Sequence, residues 1–335
     1  MEVVTAKWTK LTSSERLRRS SQVLSIVEET VWIFGGELFP RQPVDNQIDL
    51  INLKHSTVET KPHTSAPSPR VGSACTALNG KVYIFSGRGG IDMTPIEEGG
   101  ILWVFDTLTS SWSTISPMST SQPYPAARSY HCLTSDGADI IYLHAGCPAN
   151  GRLSDLWSFS VSSREWTELA SAPDPPRGGT SITFTGTKLY RMNGFDGTKE
   201  QGGSLDIFDP LSNTWSTQNY LPDGISGPEP RSVSALLSLK LRGKPSLVTM
   251  FGERDPSSLG HQGAGKMLAD VWVYSLEAGT WSKINASGDA DGFPDARGWF
   301  AADVATGVAG MGSILVHGGL GESNERLGDI WLLNF

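Results

Sequence analysis

The chain has 335 residues, of which 19% are charged, and a formal net charge of -8 with a pI near 5.3. An acidic chain with no run of basic residues argues against a nucleic-acid or anionic-membrane surface, and no apolar stretch is long enough to span a bilayer. No secretory leader pattern precedes Trp8, and the three cysteines, Cys75, Cys132 and Cys147, form no Cys-x-x-Cys pair, so a reduced, cytoplasmic protein is expected.

In chain order, one phrase recurs: an arginine opening a first strand, an apolar second strand ending in glycine, an apolar third strand, then a tryptophan in a fourth. The second strands read Val31-Trp32-Ile33-Phe34-Gly35-Gly36, Val82-Tyr83-Ile84-Phe85-Ser86-Gly87, Ile141-Tyr142-Leu143-His144-Ala145-Gly146, Leu189-Tyr190-Arg191-Met192-Asn193-Gly194, Leu247-Val248-Thr249-Met250-Phe251-Gly252 and Ile314-Leu315-Val316-His317-Gly318-Gly319. Arg18, Arg70, Arg128, Arg177, Arg231 and Arg297 are expected to open the first strands, and 48–51, 102–105, 156–159, 205–208, 271–274 and 330–333 to form the third. Trp112, Trp166, Trp215 and Trp281 follow in fourth strands, where a large ring covers the seam between neighbouring units; the first repeat carries Val58 there. A repeat of about fifty residues with a glycine stop resembles the kelch family, whose repeat is one four-stranded propeller blade. The resemblance implies an all-β, six-bladed kelch β-propeller, with 1–335 as a single domain.

The sixth repeat reaches Phe335 without a fourth strand of its own. Ala6-Lys7-Trp8-Thr9-Lys10-Leu11 copies Thr280-Trp281-Ser282-Lys283-Ile284, so residues 6–11 are expected to complete the last blade and remove an open sheet edge.

In up-and-down blades the start of strand one and the end of strand two share a face. The opening arginines and the residues after the glycines, Glu37, Arg88, Cys147, Phe195, Glu253 and Leu320, are therefore expected around one rim. Guanidinium groups at such a rim suit an anionic ligand, making Arg88, Arg177, Arg231, Arg297 and Phe195 candidate substrate-binding residues. The alternative role for the opening arginines is structural, bonding carbonyls within the repeat. Cys75 and Cys132 read as buried small hydrophobes, and Cys147 as a thiol at a loop mouth. Two long loops, 88–100 and 253–269, leave the rim, and long loops on a rigid scaffold are where binding residues concentrate. The second gathers Glu253, Asp255 and His261, a mixed oxygen and nitrogen set of the kind that suits Fe(II).

Glu253 with His261, Gly263-Ala264-Gly265, Asp270-Val271-Trp272 and Ala296-Arg297-Gly298-Trp299-Phe300-Ala301 resemble the plant nitrile-specifier, epithiospecifier and thiocyanate-forming proteins. Those proteins redirect sulfated aglucones released from glucosinolates and depend on Fe(II) held by Glu-x-x-x-Asp-x-x-x-His. Here Glu253 and His261 match the ends and Ser257 stands in the middle. The resemblance further implies catalytic roles for Arg70 and Arg128, as holders of the sulfate, and for Trp299. It implies a lyase or isomerase acting on a small reactive anion. The second function class is a non-catalytic kelch module with a protein partner. A copper-radical oxidase is excluded because the six histidines, His55, His63, His131, His144, His261 and His317, are scattered.

Overall fold

A computed structural model describes residues 5–119, 121–305 and 312–335. Six four-stranded antiparallel sheets are arranged as blades, and each blade runs through its strands in chain order. Blade one comprises Val23–Val27, Thr30–Phe34, Ile48–Asn52 and Thr57–Lys61. Blades two to five follow over 74–115, 132–169, 181–219 and 235–284. Blade six comprises Ala301–Ala305, Ser313–His317 and Asp329–Asn334, and its outer strand is Lys7–Ser13 from the other end of the chain. Second and third strands read as continuous apolar runs because blades cover both of their faces; Val31, Ile33, Ile51 and Leu315 are fully buried. Fourth strands are edges and alternate, so in Ser111–Ile115 the Trp112 side chain is buried between exposed neighbours.

The tryptophans cover the seams as expected. Trp112 packs on Phe105 of its own blade, ring centroids 5.0 Å apart, and on Phe34 of blade one at 5.2 Å. Trp166 does the same with Phe159 at 4.9 Å and with Phe85 of blade two at 5.7 Å. Trp8 stands opposite Leu333 and stacks on Phe251 of blade five at 5.7 Å, so it performs for blade six what Trp112 performs for blade two.

Two closed rings of backbone hydrogen bonds join the blades at one face. In the first, the glycine after strand two donates to the carbonyl of the next blade's opening arginine, from Gly36 N to Arg70 O at 2.9 Å around to Gly319 N and Arg19 O at 2.9 Å. Gly36 has φ +90°, and a Cβ there would lie 2.8 Å from Ser20 O, which is why the strand stops on glycine. The second ring joins the residues two beyond each arginine: Gly72 N to Ser21 O, Tyr130 N to Gly72 O, Gly179 N to Tyr130 O, Val233 N to Gly179 O, Trp299 N to Val233 O, and Ser21 N to Trp299 O.

One assignment moves by a residue. Arg19, not Arg18, opens blade one: it is fully buried and bonds Gly35 O at 3.3 Å and Asp49 at 2.6 Å. The Arg18 side chain is 37% exposed and pairs with Glu15. Adjacent arginines are indistinguishable in sequence, and only the position of the Gly35 carbonyl selects between them.

Candidate functional site

At the face carrying the two rings lies a cavity of about 450 Å³. All six residues that follow the glycines line it: Glu37, Arg88, Cys147, Phe195, Glu253 and Leu320. Each is held by a backbone bridge to the residue after the blade's opening arginine, from Ser20 with Glu37 to Gly298 with Leu320. These wall positions are therefore set by strand geometry rather than by loop conformation. Tyr130, Val233 and Trp299 of the second ring also line the cavity.

The opening arginines stand elsewhere. Arg70, Arg128, Arg177, Arg231 and Arg297 are at most 3% exposed, and none of them lines the cavity. Each donates Nη1 to the carbonyl just before its blade's glycine, at Ser86, Ala145, Asn193, Phe251 and Gly318. Four are also forked onto a carboxylate: Arg70 on Glu98, Arg128 on Asp155, Arg231 on Asp270 and Arg297 on Asp329. Trp103, Trp157, Trp272 and Trp331 donate their indole N–H to those same carboxylates. In four of the five, inward-facing carbonyls and a blade carboxylate accept from the guanidinium, which is the bonding that the structural alternative describes. Arg177 has no such carboxylate; Asp206, its blade's acid, is taken by Arg191 at 2.9 Å, and burial lowers the Arg177 pKa to about 10.

The cavity has cations of its own. Four arginines, Arg41, Arg88, Arg152 and Arg326, face two glutamates, Glu37 and Glu253. Arg326 pairs with Glu37 at 2.8 Å, so these two charges cancel. Among the described residues Arg88 bonds neutral acceptors: Ser129 Oγ at 2.6 Å, Met93 O at 3.2 Å and Pro148 O at 3.0 Å. Arg152 lies against the Phe195 ring, 5.0 Å from its centroid, and its buried Nε has no partner among the described residues. Both arginines flank Cys147, whose thiol is nonetheless pushed up by burial, their positive charge opposing the rise. Sequence reasoning missed Arg152. The available signal was its place in the loop 147–152, which leaves the rim directly after a cavity-wall residue.

On the opposite wall Glu253 is buried and accepts a hydrogen bond from Gly265 N at 2.7 Å. Burial and the nearby Glu200 raise its pKa to about 7, with the Gly265 bond opposing the rise. The Asp255 side chain is 77% exposed and stands 3.6 Å from Arg254. The His261 side chain lies outside the described residues. Among the described residues no three histidine, cysteine or acidic side chains gather as a metal-ligand set. Glu253 is buried at the cavity wall, whereas the Asp255 carboxylate is mostly exposed beside Arg254.

Six closed blades with a cation-walled cavity at one face define a β-propeller. The chain belongs to the kelch-repeat family: the domain described as KLHDC2/KLHL20/DRC7 Kelch-repeats matches residues 21–252 and 99–307. Among curated proteins it is similar to N-(sulfonatooxy)prop-2-enimidothioate sulfolyase of Thlaspi arvense, 25% identical over 93% of this chain and 91% of that protein. It is also similar to kelch-like protein 25 of Xenopus tropicalis, 28% identical over 58% of this chain and 31% of that protein. Host cell factor 1 of Mus musculus is 26% identical over 67% of this chain and 11% of that much longer protein. The chain is thus related to plant specifier proteins and to kelch proteins of the interaction type.

Proposed function

We propose that the cavity binds a small organic anion, its charged group between Arg88 and Arg152, and acts on it as a lyase of the specifier type. The observation that carries this is the Arg152 guanidinium, held against a ring with no ion pair among the described residues, beside an Arg88 whose partners among them are all neutral. Two cations without an ion pair among the described residues, in a concave and partly apolar site, favour an anion, because the low-dielectric wall strengthens each charge. The roles given to Arg70 and Arg128 by resemblance pass to Arg88 and Arg152. The similarity to a sulfolyase along nearly the whole chain supports an organic sulfate as the ligand class.

In a sulfolyase step the bond to the sulfate oxygen breaks, its electron pair departs with the sulfate, and an adjacent bond or lone pair of the organic fragment moves in to fill the vacated valence. Fixed guanidinium donors facing that oxygen stabilise the charge as it develops, and Phe195 and Trp299 keep the reacting end out of bulk water. Titration calorimetry with phenyl sulfate tests the binding. One site per chain is expected, weakened about tenfold or more by Arg152→Ala, the worth of a charged hydrogen bond. Wild type that binds no organic sulfate would remove this reading.

A second reading has its own observation. Phe39, Ile91 and Leu259 are 58%, 103% and 70% exposed on loops whose bases line the cavity, and apolar side chains on a propeller rim suit a protein partner. Replacing the three with Asp is expected to abolish binding of a partner recovered with wild type and to leave phenyl sulfate binding unchanged.

A further inference from the structure

The second ring of backbone bonds carries one residue from each blade: Ser21, Gly72, Tyr130, Gly179, Val233 and Trp299. All six have left-handed φ between +48° and +62°. Equal backbone geometry gives their side chains equivalent starting points around the axis, yet only Tyr130, Gly179, Val233 and Trp299 line the cavity. Ser21 and Gly72 are covered. The Tyr130 ring, starting in blade three, crosses Gly72 of blade two so closely that a Cβ there would lie 3.1 Å from its Cε1. Its hydroxyl reaches toward the Ser21 side chain in blade one and interacts with it. Tyr130 is thus a bar laid over three blades, and glycine at position 72 is the vacancy that lets it lie flat. Val233 packs closely on the other side of the ring, where a Cβ at Gly179 would lie 2.9 Å from its Cγ1 and one at Gly298 3.1 Å from its Cγ2.

We propose that Tyr130 is the specificity-determining residue of this site: it closes the cavity floor and limits the ligand to an organic sulfate with a short or planar tail. The inference rests on the anion-binding reading. With the sulfate held at Arg88 and Arg152, the tail is directed toward the floor, where Tyr130 meets it from blade three and Trp299 from blade six, the blade across the axis. Removing the bar opens the covered area above Gly72 and Ser21, and a longer tail gains apolar burial there.

The test is calorimetric titration of the full chain with n-alkyl sulfates from methyl to octyl. In wild type, affinity is expected to rise over the first few carbons and then to fall. Tyr130→Ala is expected to move the optimum to longer chains, gaining about fourfold in affinity for each further CH₂ admitted. Tyr130→Phe keeps the ring and is expected to keep the wild-type profile. Gly72→Ala lifts the ring and is expected to shorten the optimum. Tyr130→Leu serves in place of Tyr130→Ala if the latter fails to fold, with the same expected direction. An unchanged chain-length profile in Tyr130→Ala or Tyr130→Leu, with wild type binding normally, would overturn the proposal alone, as would a Tyr130→Phe profile shifted as far as that of Tyr130→Ala. Wild type binding none of the series would overturn it together with the anion-binding reading.

Discussion

A buried guanidinium and a cavity guanidinium answer differently to the same substitution. Arg128 is forked onto Asp155 at 2.7 and 2.8 Å and bonds two carbonyls, so Arg128→Ala strands a charge and several acceptors inside a blade. Urea unfolding is expected to show a loss of about 3 kcal/mol or more. Arg152→Ala should change stability by about 0.5 kcal/mol or less, while removing anion affinity. Equal losses of stability in the two variants would contradict the division drawn between them. The histidines set the acid limit. Burial, with nearby arginines, pushes His131 and His317 down from 6.5 to about 3, so both are neutral in the fold. A base whose folded pKa is depressed contributes stability that is present above pH 6.5 and lost as pH falls toward 3. Asp303 acts the other way: burial raises it from 3.8 to about 6, so its cost is relieved as pH falls through that window. Glu253, raised from 4.5 to about 7, acts with Asp303, but the two imidazoles are displaced further than the two carboxyls, and the urea midpoint is expected to fall below pH 6.5. His317→Gln should flatten that fall and Asp303→Asn should steepen it.

Among the elements, the outer strand of blade six bears the largest consequence. Lys7–Ser13 pairs along Asp329–Asn334, and Trp8, 3% exposed, seals the seam with blade five. Trp8→Ala is expected to cost about 3–5 kcal/mol, measured by urea unfolding. Deleting residues 1–13 exposes the edge of Asp329–Asn334 as well as the seam, and edge-to-edge aggregation in light scattering is the expected result. A soluble deletion with an unchanged melting temperature would show that ring closure does not depend on this strand. The wall of the cavity follows from a smaller element, the two-residue stop after each second strand. Its glycine bonds the neighbouring blade and its successor faces the cavity, so a single local conformation builds both the ring and the site.

Across the whole molecule the charge distribution is uneven. The chain carries -8, yet its cavity presents four arginines against two glutamates. An anion approaches a repelling surface and is held by a small attracting region, so much of its affinity is electrostatic. Raising salt from about 20 to 200 mM shortens the screening length roughly threefold, and phenyl sulfate affinity is expected to fall several-fold in calorimetry. Affinity independent of salt would place the binding in apolar contacts instead.

The architecture was legible in the sequence because each of its signals is local. Apolar runs bounded by glycine fix strand ends, a positive φ restricts the residue type at Gly36, and a tryptophan in five of the six fourth strands marks the seam. Even the ring closure could be read, since Trp8 repeats the pattern around Trp281. The same local logic placed Glu37, Arg88, Cys147, Phe195, Glu253 and Leu320 on one rim. What escaped was the direction of long side chains. Arg70 and Arg88 both leave that rim, but Arg70 turns inward because Glu98, 28 residues away, returns to meet it, whereas Arg88 meets neutral acceptors among the described residues. Arg152 becomes a cavity cation only where its loop brings it against Phe195, and Tyr130 becomes a floor only where Gly72, in another blade, leaves room for its ring. Strand and turn conformation are decided within a few residues, so the amino-acid order determined them; which charges are neutralised and which surfaces are covered depend on partners brought together from separate parts of the chain, and the tertiary structure alone decided those.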